Sequence, residues 1–238
     1  MDFAKLMELK AQEYGIILND RQLEQFNIYY ELLLEWNKKI NLTAITEPEE
    51  VAVKHMVDSL SAWDESLLPA NARAIDVGTG AGFPSIPLKI MLPDLKLTLL
   101  DSLNKRIKFL QLVTDALGLK DVKLVHGRAE EVARQKKYRE KYTIAFSRAV
   151  AKMSVLSEYT LPFVKIGGYL VALKGRQYKE EIEQANNALQ VLGSSIEKVK
   201  PVKLPGIDDI RAIIYVHKEK QTPAVYPRKA GTPERNPL

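Results

Sequence analysis

A chain of 238 residues with 46% hydrophobic and 27% charged side chains has enough apolar material for a sizeable core, which excludes wholesale disorder. It contains no cysteine, so disulfides, zinc–thiolate centres and cysteine nucleophiles are excluded together. A net charge of +5 favours an anionic partner without demanding one, and the lack of any run of about eighteen apolar residues predicts a cytoplasmic protein with no membrane span or membrane partner.

In chain order, NDRQLEQFNIYYELLLEWNKKINL places Leu23, Phe26, Tyr30, Leu33, Leu34 and Trp36 at roughly helical spacing, opened by Asn19 or Asp20 as N-cap. A second helical stretch, residues 48–63, completes an N-terminal helical region over residues 1–66 that ends at LLPANAR. Near residue 70 the pattern changes. Short apolar runs (ARAIDVG, KLTLLDS, VKLVHG, YTIAFSRA, GGYLVALKG) alternate with longer amphipathic ones (SIPLKIML, RIKFLQLVTDALG, AEEVARQ, SVLSEYTLPFV, YKEEIEQANNALQVL). This alternation predicts an α/β domain over residues 67–217, a mostly parallel sheet with helices on both faces. Between IEKVKPVKL and RAIIYVHK lies only the short turn PGIDD with Ile210, so the last two strands are expected to pair antiparallel at the end of the sheet. Residues 218–238 read as an extended, basic, proline-containing tail.

The stretch AIDVGTGAGFPSIPL, residues 74–88, follows the first strand of this series and opens a helix, the position where open α/β sheets bind ligands. Gly78, Gly80 and Gly82 give G-x-G-x-G, but Phe83 stands where a dinucleotide fingerprint needs its third glycine. Phe83 and Pro84 would obstruct a pyrophosphate, and no Gly-Lys-Ser/Thr follows to make a P-loop. A ligand with an adenosine and no phosphate fits better. Asp76 puts a carboxylate beneath the loop for an ammonium group or the loop amides. Asp101, ending the next strand, can accept from ribose hydroxyls, and after the third strand Ala129 and Glu130 can read an adenine edge. The ligand implied is S-adenosylmethionine.

The segments AIDVGTGAGFPSIPL, LLDSLNKRIKFL, SRAV and ALKG, preceded by EWNKKINLTAI and HMVDSL, closely resemble the RsmG family, bacterial small-subunit ribosomal RNA methyltransferases formerly named glucose-inhibited division protein B. The resemblance covers nearly the whole chain. It implies the class I methyltransferase (Rossmann-like) fold with a mostly parallel seven-stranded sheet and an N-terminal helical extension. It further implies methyl transfer to N7 of one guanosine in 16S rRNA, within the small subunit or its precursor, by a monomer. Carried over, the family's cofactor contacts fall on Gly78, Phe83, Ala129, Glu130 and Arg148.

The chemistry of the residues agrees with that reading. Methylation at a pyrimidine C5 ordinarily needs a cysteine nucleophile, which is absent. Methylation of an adenine amine typically uses an Asn/Asp-Pro-Pro-aromatic segment, where this chain has SRAV. Guanine N7 has an available lone pair and no proton to lose, so orientation and electrostatics suffice for direct in-line attack without a general base. Two rival functions remain: a small-molecule methyltransferase with the N-terminal helices as a lid, and a non-catalytic assembly factor binding S-adenosylmethionine or RNA.

Arg148 is expected at the mouth of the site as a positioning residue, on the cofactor carboxylate or on guanine O6 or a phosphate. Lys174 is expected on the same rim, facing an RNA phosphate. Further basic candidates for RNA are Lys38 and Lys39, the run of residues 134–141, and the tail with Lys218, Lys220, Arg228, Lys229 and Arg235, where Tyr226 can stack on a base. His55 and Asp58 read as a structural hydrogen bond between helix and sheet rather than a catalytic pair. His126 and His217 have no partners at metal-ligand spacing, so no metal is expected. Trp36 and Trp63 read as core residues.

Overall fold

The computed structural model describes residues 2–69 and 71–238; residue 70, near which the sequence pattern changes, lies outside them. The chain begins with α1 (Phe3–Tyr14) and α2 (Asp20–Ile40), followed by α3 (Pro48–Val51), a π-helical turn (Ala52–Val57) and α4 (Asp58–Leu60). Strands and helices then alternate: β1 (Arg73–Val77), α5 (Ser85–Met91), β2 (Lys96–Asp101), α6 (Asn104–Ala116), β3 (Val122–His126), α7 (Ala129–Val132), β4 (Tyr142–Arg148) and α8 (Met153–Thr160). The chain continues with β5 (Val164–Lys174), α9 (Tyr178–Val191), β6 (Ser194–Val202), β7 (Arg211–Lys218) and α10 (Thr232–Arg235).

The seven strands form one sheet in the order β3-β2-β1-β4-β5-β7-β6. β7 runs antiparallel to both neighbours, as the short connection to β6 requires. Strand order reverses between β1 and β4, which leaves a crevice at their carboxyl ends. Alternate residues of each strand point to opposite faces. Ala74, Leu99, Phe146 and Tyr215 join a core under α1, α2, α5 and α6, while Ile75, Leu100, Ala145 and Ile214 join one under α7, α8 and α9. The mostly parallel seven-stranded sheet with helices on both faces is the architecture that the resemblance implied.

The expected N-terminal helix is α2, closed at its start by a capping box of Asn19 and Gln22. It buries Phe26, Tyr29 and Leu33 against the sheet layer, so it is part of the foundation rather than a lid. Helix α1 went unremarked in the sequence, although its signals are there: Asp2 accepts from the Lys5 amide at 2.8 Å, Gly15 closes the other end at φ +89°, and Phe3, Met7 and Ala11 make the buried stripe. Trp36 and Trp63 are half-buried against the same core.

The C-terminal residues correct the expectation of an extended tail, since they fold back over the domain. Proline carries no N–H, so this segment is rich in carbonyls and poor in donors of its own. Arg139 donates to the Tyr226 and Thr222 carbonyls at 2.7 and 2.8 Å, and Arg134 to that of Pro227 at 2.6 Å. Lys218, counted among the basic candidates, is fully buried at the end of β7 and bonds the Leu161 carbonyl and the Thr222 hydroxyl. Burial pushes its pKa down to about 8. No helix among the described residues is long and apolar enough to cross a membrane.

Candidate functional site

The glycine loop is held from three sides. The Gly78 and Thr79 amides donate to the Leu100 carbonyl at 2.9 and 3.1 Å, and the Gly80 amide to Asp101 Oδ2 at 2.9 Å. From α2, the buried Tyr29 hydroxyl donates to the Ala81 carbonyl at 2.5 Å. The three glycines differ in use. At Gly80 a Cβ would meet nothing within 4 Å, so the backbone borders open space. At Gly78 it would lie 2.6 Å from Val150 Cγ2. Gly82, expected to touch cofactor, instead has its Cβ position turned into the protein, 2.6 Å from Ile86 and 3.0 Å from the Tyr29 hydroxyl. The third glycine therefore serves the packing of α2 against the loop. Gly82→Ala places a side chain at φ +102° in occupied space, and a loss of about 2–5 kcal/mol of stability is expected in denaturant unfolding.

Beneath the loop, Asp76 is fully buried. Its Oδ2 accepts from Thr79 Oγ1 at 2.9 Å, whereas its Oδ1 and the nearby Ser85 hydroxyl have no hydrogen-bond partner. Burial raises the Asp76 pKa to about 7 against the opposing pull of Ser85, Thr79 and Arg148. A buried carboxylate oxygen without a hydrogen bond of ordinary geometry is unusual, and Asp76 lies behind the loop rather than in the wall of either cleft at this end of the sheet. Asp101, also buried, is more fully engaged than expected, accepting from Gly80, from the Leu103 amide at 2.8 Å and from Arg106 at 3.4 Å.

Two clefts open at this end of the sheet. The smaller, of 120 Å³, runs along the ends of β1, β2 and β3 and is lined by Gly78, Asp101, Ala129, Glu130, Val150 and Tyr159. The larger, of 640 Å³, lies between the π-helical turn and the ends of β4, β5 and β7, lined by Lys54, His55, Asp58, Arg148, Arg176 and Arg211 among others. Val150 lines both. The residue before it, Ala149, has a left-handed φ of +56°, a strained conformation for a residue with a Cβ.

Arg148 is brought to the larger cleft and fastened there. It donates to Asp58 Oδ2 and to the Lys54 carbonyl, both at 3.0 Å, and its guanidinium lies 4.8 Å above the Phe83 ring. Phe83 is buried, with His55 stacked on it at 4.6 Å. His55 Nδ1 lies 3.2 Å from Arg148 and 3.1 Å from the Lys54 carbonyl, and Nε2 lies 2.8 Å from Thr43 Oγ1. Burial and the Arg148 charge lower the His55 pKa to about 3. Asp58 does not bond His55 as the spacing suggested. It accepts instead from two arginines, pairing through Oδ1 with Arg211 at 3.1 Å, and Arg211 Nε is buried without a partner.

Several expected contacts are otherwise employed. Lys174 is not free for a phosphate: it is mostly buried and donates to the Ala151 carbonyl at 2.6 Å and Glu181 at 2.7 Å. Arg228 is locked on Glu158, with Nη2 2.6 Å from Oε2. Tyr226 is half-buried against the core. Glu130 lines the smaller cleft, but its Oε1 accepts from the Gly231 amide at 2.9 Å. Lys38, Lys39 and Lys229 are exposed, with Lys39 paired to Glu35 at 2.6 Å. No cluster of His, Asp or Glu among the described residues is arranged to hold a metal ion. Sequence reasoning missed Arg211, Lys54, Val150 and Tyr29, because nothing local in the chain marks residues that converge only when β7, the π-helical turn and α2 meet the sheet.

The model of the family described as rRNA small subunit methyltransferase G matches residues 22–210. Ribosomal RNA small subunit methyltransferase G from Alkaliphilus metalliredigens is 52% identical over 238 residues, the whole of both chains. The protein of that name from Thermoanaerobacter pseudethanolicus is 51% identical over 96% of this chain and 95% of its own. Among solved structures, a SAM-dependent methyltransferase from Aquifex aeolicus is similar with a TM-score of 0.54 at 17% identity, over 74% of this chain and 96% of that one. TYW2 of M. jannaschii in complex with AdoMet is similar with a TM-score of 0.52 at 15% identity, over 68% and 74% respectively. At these identities the structural likeness is one of fold.

Proposed function

Because the chain belongs to the rRNA small subunit methyltransferase G family, we propose that it transfers a methyl group from S-adenosylmethionine to N7 of one guanosine in 16S rRNA. It would act as a cytoplasmic monomer on the small ribosomal subunit or its precursor. The observation that carries the site assignment is the pair of clefts meeting at Val150, one lined by the ends of β1, β2 and β3 and the other rich in cationic side chains.

The residues fit the cofactor. Asp76 offers a buried oxygen without a donor, Gly80 leaves open space above the loop, and Asp101, Ala129 and Glu130 line a cleft at the positions where such sheets take an adenosine. Asp76 would receive the ammonium group, Gly78 and Gly80 the neighbouring chain, and Arg148 the carboxylate. When bound, S-adenosylmethionine supplies a methyl group activated by its sulfonium sulfur.

The protein's own part is to hold and orient. Asp58 fixes Arg148 and Arg211 at one edge of the larger cleft. Lys54, Arg176 and Arg211 line the same cleft with positive charge and suit an RNA phosphate beside the target base. His55, with a pKa near 3, is too weak a base to take a proton at neutral pH. An imidazole this weakly basic in the larger cleft suits N7, which has no proton to lose, and the rate then comes from alignment. Small-molecule methylation with α2 as a lid is disfavoured, since Phe26, Tyr29 and Leu33 are buried in the foundation of the sheet.

The test uses labelled S-adenosylmethionine and small subunits from cells lacking the protein, followed by nuclease digestion and identification of the labelled nucleoside. Label in 7-methylguanosine, lost in Arg148→Ala, is the expected result. Label in another nucleoside would reject N7, and label absent from both subunits and free rRNA would reject the substrate.

A further inference from the structure

The C-terminal residues touch the smaller cleft at two of its walls. Glu130, the second residue of α7, lines it and gives Oε1 to the Gly231 amide. Tyr159 on α8 also lines it, and its neighbour Glu158, 1% exposed, is held by the Arg228 amide at 2.6 Å and by the Arg228 guanidinium through Nε and Nη2. Helix α10 packs on α8, and Arg134, two residues beyond α7, donates to the carbonyls of Val225 and Pro227.

We infer that residues 225–235 form a clamp that sets the geometry of the adenosine side of the cofactor cleft, with Gly231 and Arg228 as positioning residues for Glu130 and for the Glu158–Tyr159 turn. The physical reason lies in α7. It has four residues, too few to be stable by its own hydrogen bonds, so its place depends on tertiary restraints. The clamp supplies those restraints from both sides, through Glu130 within the helix and Arg134 beyond it. Glu130 needs such a partner as well, because a carboxylate 5% exposed without a donor is costly. With Oε1 occupied by Gly231, Oε2 is the oxygen left to face the cleft. Arg228, one of the basic residues at the end of the chain, thus serves the cofactor side of the protein.

The inference rests on the cofactor assignment for the identity of the ligand, while the clamp itself can be read without ligand. Two proteins are compared with the full chain: one ending at residue 230, which lacks Gly231 and α10, and full-length Arg228→Gln. Amide exchange is followed over residues 128–135 without cofactor, S-adenosylmethionine affinity is measured by calorimetry, and KM for small subunits is measured at saturating cofactor. Expected are faster exchange of the α7 amides in the truncated chain and, in both proteins, a cofactor Kd raised roughly fivefold to tenfold, the scale of one charge-assisted hydrogen bond. KM for subunits should stay within about twofold. Unchanged exchange and Kd would overturn the clamp, and so would an effect confined to KM for subunits, which is the signature of an RNA-binding tail. A full chain that binds no S-adenosylmethionine would reject the cofactor assignment, and the exchange comparison would still decide the clamp.

Discussion

Asp58→Asn should lower kcat/KM for rRNA methylation about a hundredfold while the protein stays folded. Asp58 is the shared acceptor of Arg148 and Arg211, its side chain is 7% exposed, and both arginines line the larger cleft. Asparagine keeps the shape and one acceptor oxygen but loses the charge and the second acceptor. At least one guanidinium must then swing away, and a misplacement of about 1 Å at a positioning group costs on the order of a hundredfold in rate. Asparagine is preferred to alanine because it keeps the volume and one acceptor, limiting a penalty that for loss of one side of a buried ion pair reaches roughly 3–5 kcal/mol of a typical stability of roughly 5–15 kcal/mol. With Arg148 assigned to the cofactor and Arg211 to RNA, cofactor Kd and subunit KM should both rise. A folded variant with kcat/KM within about threefold of the parent would remove the Asp58 pair from the functional site.

Cofactor binding should weaken on acidification through neutral pH. Asp76 has a pKa raised to about 7 by burial, and only its ionised form offers the charge that a cofactor ammonium seeks. If binding requires that form, going from pH 8 to pH 6 lowers its population from about nine-tenths to about one-tenth and raises the apparent Kd about tenfold. The stability of the free protein moves in the opposite sense. A carboxyl with an ordinary value of 3.8 in the unfolded chain and about 7 when folded contributes its full stabilisation below about pH 4. That contribution is lost as pH rises through 7, because the folded state favours the neutral form. Binding and stability measured between pH 5.5 and 8.5 should therefore trend oppositely in the parent. In Asp76→Asn both trends should flatten and cofactor affinity should be low throughout. A parent Kd that does not change between pH 6 and 8 would exclude ionised Asp76 as the ammonium acceptor.

Much of the architecture was legible in the chain because it is set locally. Alternation of short apolar runs with amphipathic ones dictates strands and helices, and a connection as short as PGIDD leaves β6 and β7 only an antiparallel pairing. The glycine loop and Asp76 were legible for the same reason, since residues adjacent in sequence at a strand end stay adjacent in space. Phe83 was read as an obstruction to a pyrophosphate and, through the resemblance, as a cofactor contact; its packing partners were not legible. It is in fact the ring on which His55 stacks and over which Arg148 lies.

What charge alone suggested was least secure. Lys174, Lys218 and Arg228 look alike in sequence as solvent-facing cations, yet each is bonded to a carbonyl, a hydroxyl or a carboxylate within the fold. The sequence by itself determined the alternating strands and helices, the antiparallel last pair and the glycine loop, because these depend on residue order and spacing along single elements, and its motifs carried the resemblance to the family. The tertiary structure alone decided that Gly82 packs against Tyr29, that Asp58 gathers Arg148 with Arg211, and that the C-terminal residues close on Glu130 and Glu158. Those arrangements join residues between 53 and 153 positions apart. No local periodicity encodes such contacts, since they are fixed only when packed layers bring buried charges and unpaired carbonyls within reach of the partners they require.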